Sequence, residues 1–369
     1  MSTKLKLGLF FGGRSGEHEV SLMSARSVLD ALDKDHYEVI EIGITKDGRW
    51  LSGESTLAAF ESTDTAGLTN VNILPEPGQQ ALLGRSEEGR SEQLTEIEIA
   101  FPVLHGTFGE DGALQGLFEL AEIPYVGAGV LASSVAMDKA LFKDVMRGSG
   151  IPVIDWIVLN TSEFEDEMES ALERAESVGP YPLFTKPANM GSSVGIMRCD
   201  SHSDLVEGLQ DAAQYDRRLI VERGIEAREI EVSVLGNEAP EASVPGEIVP
   251  SDRFYSYKAK YIDAASELII PAELGVALTE RTRQMAIDAY KAIDCAGMAR
   301  VDFLLERENG DLYLNEINTI PGFTKISMYP KLWDASGLSY SELLDRLVAL
   351  AFARAGQKSR LVRSYGGEA

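Results

Sequence analysis

Arg300-Val301-Asp302 and Glu316-Ile317-Asn318, on either side of Asn309-Gly310, decide how this chain is read. Each triplet puts its polar residues at i and i+2, on one face of a strand. Asn-Gly is a strong hairpin turn signal, so the predicted strands 299–306 and 312–318 pair. One sheet face then carries Arg300, Asp302, Glu316 and Asn318. Oxygen donors beside one basic side chain suit Mg²⁺, and so few protein ligands leave its other positions to water and nucleotide phosphates. The plain alternative is a surface strand pair, against which Leu314, Ile317 and Ile320 argue for burial. The loop Thr319–Thr324 follows, and the Gly322 N–H in it can face a ligand.

Working upstream, Asn189–Gly195 is a Gly-rich hairpin able to fold over phosphates. It lacks the Gly-Lys-Ser/Thr of a P-loop. Lys186, just before Pro187, is a candidate phosphate ligand. Ser251–Tyr261 mixes aromatic residues with Lys258 and Lys260 and reads as a lid that excludes water. At the N-terminus, Gly12-Gly13-Arg14-Ser15-Gly16 follows the first strand. A glycine turn opening a helix can hold phosphate, and Glu41 would supply the acidic residue of a dinucleotide fold. The spacing is not Gly-x-Gly-x-x-Gly, so a nicotinamide-dependent oxidoreductase is a weak alternative. Glu17, inside the turn, suits a cation such as a substrate ammonium.

The patterns predict a β–α–β start with strands 5–11 and 37–44 around a helix 20–32. Residues 52–96 show no sustained period and read as an elaborated, partly mobile connection. A strand 97–104 and a helix to 122 follow. Beyond them lie a helix 134–147, a strand 153–159, and an acidic helix to 178 capped by Thr161 or Ser162. Strands are predicted near 183–186, 195–198, 219–222, 229–235, 242–248 and 267–270, with helices 279–293 and 339–355. The fold class is an α/β first domain followed by mixed α+β domains.

The chain has 369 residues, which suggests two or three domains. With 34 basic and 59 acidic residues its net charge is −25. That field opposes nucleic acid and anionic membranes. A small nucleotide arriving with its metal is still compatible with it. Cys199 and Cys295 form no disulfide framework. No signal pattern and no apolar stretch of about 20 residues is present. A cytoplasmic protein is expected.

Taken in order, six motifs resemble the D-alanine–D-alanine ligase family of the ATP-grasp superfamily. They are Gly-Gly-x-Ser-x-Glu-x-x-Val-Ser at 12–21, His-Gly-x-x-Gly-Glu-Asp-Gly at 105–112 and Met-Asp-Lys at 137–139. Then come Lys-Pro-Ala-x-x-Gly-Ser-Ser-Val-Gly at 186–195, Arg-x-Asp-Phe at 300–303 and Asn-Glu-x-Asn-Thr-x-Pro-Gly-Phe-Thr at 315–324. The resemblance implies an ATP-grasp fold in three parts: a Rossmann-like preATP-grasp domain 1–126, a central lid domain 127–222, and a C-terminal domain 223–369 with the metal site.

The resemblance also implies roles. Lys139 and Lys186 contact the ATP phosphates and Lys260 the γ-phosphate. Glu222, Arg223, Gly224 and Ile225 line the adenine pocket, and Glu229 binds the ribose. Asp302, Glu316 and Asn318 hold two Mg²⁺ or Mn²⁺ ions. Glu17 takes the ammonium of the first D-alanine and forms a triad with Ser192 and Tyr261. His105 lies near that substrate. Arg300 and the Gly322 N–H form an oxyanion hole, and Ser327 and Met328 sit by the second carboxylate. Gly224 departs from the bulky aromatic of other members, which puts base stacking in doubt. Members making D-alanyl–D-lactate carry a lid histidine, so Tyr261 favours D-alanine, with D-serine and D-lactate as alternatives. A homodimer is expected from the family. A catalytically silent nucleotide-binding protein, or another ATP-grasp amine ligase, completes the alternatives.

Overall fold

A computed structural model describes residues 4–86, 89–192, 194–249 and 267–362. The lid residues Lys260 and Tyr261 lie outside the described residues.

The chain opens with β1 (Leu5–Gly12) and β2 (Tyr37–Ile44), parallel in register around the helix His18–Ala31. Leu7, Leu9, Phe10 and Phe11 of β1 are fully buried, as a central parallel strand requires. Residues 52–96 are more regular than their sequence suggests. β3 (Trp50–Ser52), a short helix Thr56–Glu61, β4 (Thr69–Ile73), β5 (Ala81–Arg85) and β6 (Ser91–Glu96) extend the sheet antiparallel from β2. The alternation is real but brief: Val71 and Ile73 are buried while Asn70 and Asn72 are exposed. β7 (Ile99–Pro102) pairs with β1 and closes the order β6-β5-β4-β3-β2-β1-β7.

β8 (Trp156–Asn160), β9 (Leu183–Pro187), β10 (Met197–Cys199) and β11 (Arg218–Arg223) form a second sheet in the order β10-β9-β11-β8. It has its own core, with Leu159, Leu183, Leu205 and Val221 among its members. The third sheet contains β12 (Ala227–Gly236), β13 (Glu241–Ala242), β14 (Gly246–Val249), β15 (Glu267–Ile269), β16 (Gly297–Glu306) and β17 (Leu312–Asn318). The single strand expected over 242–248 is divided, and Pro245, which has no N–H for a ladder, lies in the break.

Two expected helices are each a pair. The helices Val130–Met137 and Lys139–Gly148 meet at Asp138, whose carboxylate accepts the Leu141 N–H at 2.9 Å and starts the second one afresh. The acidic stretch divides into Thr161–Asp166 and Met168–Glu176. Its N-cap is Asn160, not Thr161 or Ser162, with Glu163 accepting the Asn160 N–H at 3.1 Å. Helices His202–Ala212 and Met328–Ala335 have no counterpart in the sequence patterns.

Core packing shows why the site is rigid. Phe142 and Met146 pack beneath the third sheet with Val232, Val301 and Ile317. Leu7, Phe11 and Phe101 of the first sheet share a core with Phe323, Tyr329 and Leu343. Phe323 is fully buried, with ring centroids 6.2 Å from Phe101 and 5.4 Å from Tyr329, and Tyr340 donates its hydroxyl to the Phe323 carbonyl at 2.6 Å. Burying one such side chain contributes about 1.5–3 kcal/mol, so the loop that carries Gly322 is anchored by its next residue.

Candidate active site

β16 and β17 pair antiparallel, with Arg300 opposite Asn318 and Asp302 opposite Glu316. The expected i, i+2 geometry is present. Arg300 donates from Nε and Nη2 to the two oxygens of Asp302 at 2.8 and 2.7 Å, and Asn318 Nδ2 donates to Asp302 Oδ2 at 2.9 Å. β12 adds Glu231, opposite Asp302, whose Oε2 lies 3.0 Å from Arg300 Nε. Sequence reasoning had passed over Glu231. On this face Glu231, Asp302 and Glu316 set three carboxylates against one guanidinium, a surplus of two negative charges. Among the described residues no three or more His, Cys, Asp or Glu side chains close into a metal cage. Oxygen donors with a charge surplus fit a divalent ion that keeps water and phosphate ligands, with Asp302 yielding the contacts that Arg300 and Asn318 make to both its oxygens.

This face borders a tight pocket of about 60 Å³, lined by Glu17, His105, Glu110, Lys139, Ser192, Arg300, Glu316, Asn318 and Gly322 among others. Glu17 reaches it from the glycine turn, only 6% exposed, and its N–H donates to Ser15 Oγ at 3.2 Å. A β-carbon at Gly106 would stand 2.8 Å from Glu17 Oε2, and φ there is +75°, so glycine is required. Ser192 holds a left-handed φ of +55°, and its buried hydroxyl meets no partner among the described residues. A strained backbone presenting an unsatisfied hydroxyl is characteristic of a ligand clamp.

His105 lines the pocket as a fixed strut. Its ring lies between the Ile320 carbonyl, 2.9 Å from Nδ1, and Ser24 Oγ, 3.0 Å from Nε2. A carbonyl only accepts, so Nδ1 carries the proton and Nε2 accepts from Ser24. Burial holds its pKa below the ordinary range against the pull of Glu17, which keeps the ring neutral. Glu110, absent from the expected site residues although it stands inside the 105–112 motif, is the more telling group. Burial, then the Glu17 carboxylate, pushes it up to about 8, although Gly106 donates to its Oε1 at 2.9 Å. Folding therefore takes up a proton here between an ordinary 4.5 and about 8. That contribution is complete below the window and is lost as pH rises through it. Glu110→Gln should flatten the thermal midpoint between about pH 5 and 8, measured by calorimetric scans across that range.

A second cavity of about 510 Å³ lies between the second and third sheets. Lys186, Glu222, Arg223, Ile225 and Glu229 all line it. Lys186 Nζ is held 2.5 Å from Glu222 Oε2, and Arg223 by Glu306 at 3.4 Å. Gly224 does not line it. Its N–H donates to the Pro182 carbonyl at 2.9 Å, and a β-carbon would stand 2.5 Å from that oxygen, so no side chain fits there. Phe184 and Ile154 line the cavity instead and offer an apolar wall for a base. The tight pocket and this cavity share Lys139, Ser192 and Glu316. Lys139 donates to the Met190 carbonyl in the Gly-rich loop.

Ser327 and Met328 line neither cavity. The Met328 side chain is core, packed with Ile248 and Leu332, so only its backbone is available to a ligand. Ser327 Oγ accepts the Thr324 N–H at 3.0 Å. Glu41 accepts the Leu57 N–H at 2.6 Å and anchors a helix start, which removes the acidic residue of the dinucleotide alternative.

The model for the N-terminal domain of D-ala D-ala ligase matches residues 6–128, and the model for its C-terminal domain matches residues 145–349. The chain belongs to the D-alanine–D-alanine ligase family. A D-alanine–D-alanine ligase from Thermoanaerobacter sp. strain X514 is 51% identical over 366 residues, covering 97% of this chain and 99% of the relative. One from Natranaerobius thermophilus is 48% identical over 358 residues, 97% of each. Among solved structures, the D-alanine–D-alanine ligase of Coxiella burnetii superposes with a TM-score of 0.82 at 38% identity, covering 98% of this chain and 97% of that one. The VanG D-Ala:D-Ser ligase of Enterococcus faecalis gives 0.84 at 34% identity, covering 95% and 100%. Ligases of this family share the ATP-grasp fold, and the three-sheet architecture here is that fold.

Proposed function

We propose that this chain joins two D-alanines into D-alanyl-D-alanine, a peptidoglycan precursor, with conversion of ATP to ADP and phosphate. The observation that carries the reading is the meeting of the two cavities at Lys139, Ser192 and Glu316. A nucleotide in the larger cavity, with its base toward Phe184 and its ribose toward Glu229, would direct its phosphates past Lys186 to that junction. An amino acid in the tight pocket, its ammonium against Glu17, would present its carboxylate there.

The chemistry follows from those positions. A carboxylate oxygen of the first D-alanine attacks the γ-phosphorus, ADP leaves, and an acyl phosphate forms. The amine of the second D-alanine, deprotonated beside Ser192, with Tyr261 assigned to the same step by the family resemblance alone, attacks the acyl carbon. The new C–N bond closes as phosphate leaves with that carboxylate oxygen. Lys139, Lys186 and Lys260 offset charge on the phosphoryl group, as such transfers require. Asp302, Glu316 and Asn318 would hold Mg²⁺ or Mn²⁺, which supplies further neutralisation at the phosphates. Arg300 and the Gly322 N–H, both lining the tight pocket, would stabilise the oxygen that becomes negative in the tetrahedral intermediate. The expected result is phosphate release from ATP and Mg²⁺ with D-alanine and not with L-alanine. Equal release with both, or none with either, would remove the reading.

A further inference from the structure

Lys143 lies outside the six motifs quoted above, yet its side chain is only 2% exposed and sits at the centre of the larger cavity's charge network. It lies one turn beyond Lys139 on the helix Lys139–Gly148, so the two share a face. Its Nζ is 3.1 Å from Glu222 Oε1 and 5.5 Å from the centre of the Trp156 ring. Glu222 Oε2 meets Lys186 Nζ at 2.5 Å. One buried carboxylate therefore stands between two ammonium groups. Lys186 and Glu222 line the cavity and Lys143 does not. Neither Lys143 Nζ nor Glu222 Oε1 meets hydrogen-bond geometry, so their contact has room to tighten.

We propose that Lys143 is the standing counter-ion of Glu222, a positioning residue that lets Lys186 leave the carboxylate and engage a nucleotide phosphate. The inference rests on the ligase reading in one respect, that Lys186 meets a phosphate. A buried carboxylate with one partner cannot release it without becoming an uncompensated charge. With Lys143 behind it, Glu222 remains paired when Lys186 turns outward. The electrostatics agree with the geometry. Burial acts to raise the Glu222 carboxyl, but Lys143, and after it Lys186, bring it down to about 2. Without Lys143, Lys186 would stay fixed to Glu222.

Calorimetric titration of the full-length protein with ATP and Mg²⁺, without D-alanine, tests this. Lys143→Met should weaken ATP binding by about tenfold or more, equivalent to about 1.4 kcal/mol, with KM for D-alanine unchanged. Lys143→Arg should restore much of it. In a Glu222→Gln background the carboxylate charge is gone, so adding Lys143→Met should leave ATP affinity unchanged. Wild-type affinity in Lys143→Met, or a further tenfold loss when it is added to Glu222→Gln, would overturn the inference; the second comparison stands even where the single variant folds poorly. The wild-type titration tests the ligase reading separately, because absence of ATP binding there defeats that reading and not the role of Lys143 alone.

Discussion

Arg300→Ala is expected to lower kcat by about 100- to 1,000-fold, the effect of losing one oxyanion donor in comparable acyl-transfer sites. KM for ATP should change little, because Arg300 lines the tight pocket and not the nucleotide cavity. Stability should fall as well. Arg300 stands between Glu231 and Asp302, and its removal leaves two nearly buried carboxylates facing each other across β12 and β16. Breaking such a pair costs about 3 kcal/mol or more. The two effects are separable with Arg300→Lys. An ammonium keeps the charge, so part of the thermal midpoint should return. It cannot reproduce the planar fork that binds both oxygens of Asp302 while keeping a further donor for the proposed oxyanion. Steady-state kinetics and thermal scans on both variants check this. A lysine variant with near wild-type kcat would show that Arg300 contributes charge alone.

What could be read from the sequence was local. The Arg300, Asp302, Glu316 and Asn318 cluster follows from a two-residue period and one Asn-Gly turn, and the register agrees. The boundaries of β2 and β17 are as expected. Features that depend on distant partners were not legible. Asp138 ends one helix and caps the next, and no periodicity reports a change of helix axis. Glu110 was visible in its motif, but its raised pKa comes from burial against Glu17, which another element brings in. Gly224 read as a missing stacking partner; the backbone of Pro182, too close for any side chain, is the physical reason. Nothing local in the sequence marks Lys143; its partner Glu222 comes from the second sheet, far along the chain.

Glu316→Gln should be the most damaging single change to catalysis and one of the least damaging to the fold. Glu316 faces both cavities, the junction to which the proposed function brings the phosphate of one substrate and the carboxylate of the other. A metal ligand at that junction is worth several kcal/mol of transition-state stabilisation, and about 4 kcal/mol corresponds to roughly 1,000-fold in kcat. The amide keeps one oxygen but loses the charge, so the Mg²⁺ concentration for half-maximal rate should also rise. Without a metal, however, Glu316 adds to a surplus of carboxylates, opposite Asp302 and on the face that Glu231 shares. Neutralising it removes like-charge repulsion with Glu110 and also attraction to the buried Lys143, effects of opposite sign in the free protein. The thermal midpoint without Mg²⁺ should therefore move little, while the increase that Mg²⁺ and ATP together give the wild type should shrink. Scans with and without both, alongside a Mg²⁺ titration of the rate, measure the two effects on the same samples. A lower midpoint without Mg²⁺, together with an unaltered Mg²⁺ dependence, would mean that Glu316 is a structural ion-pair partner and that the metal is held elsewhere.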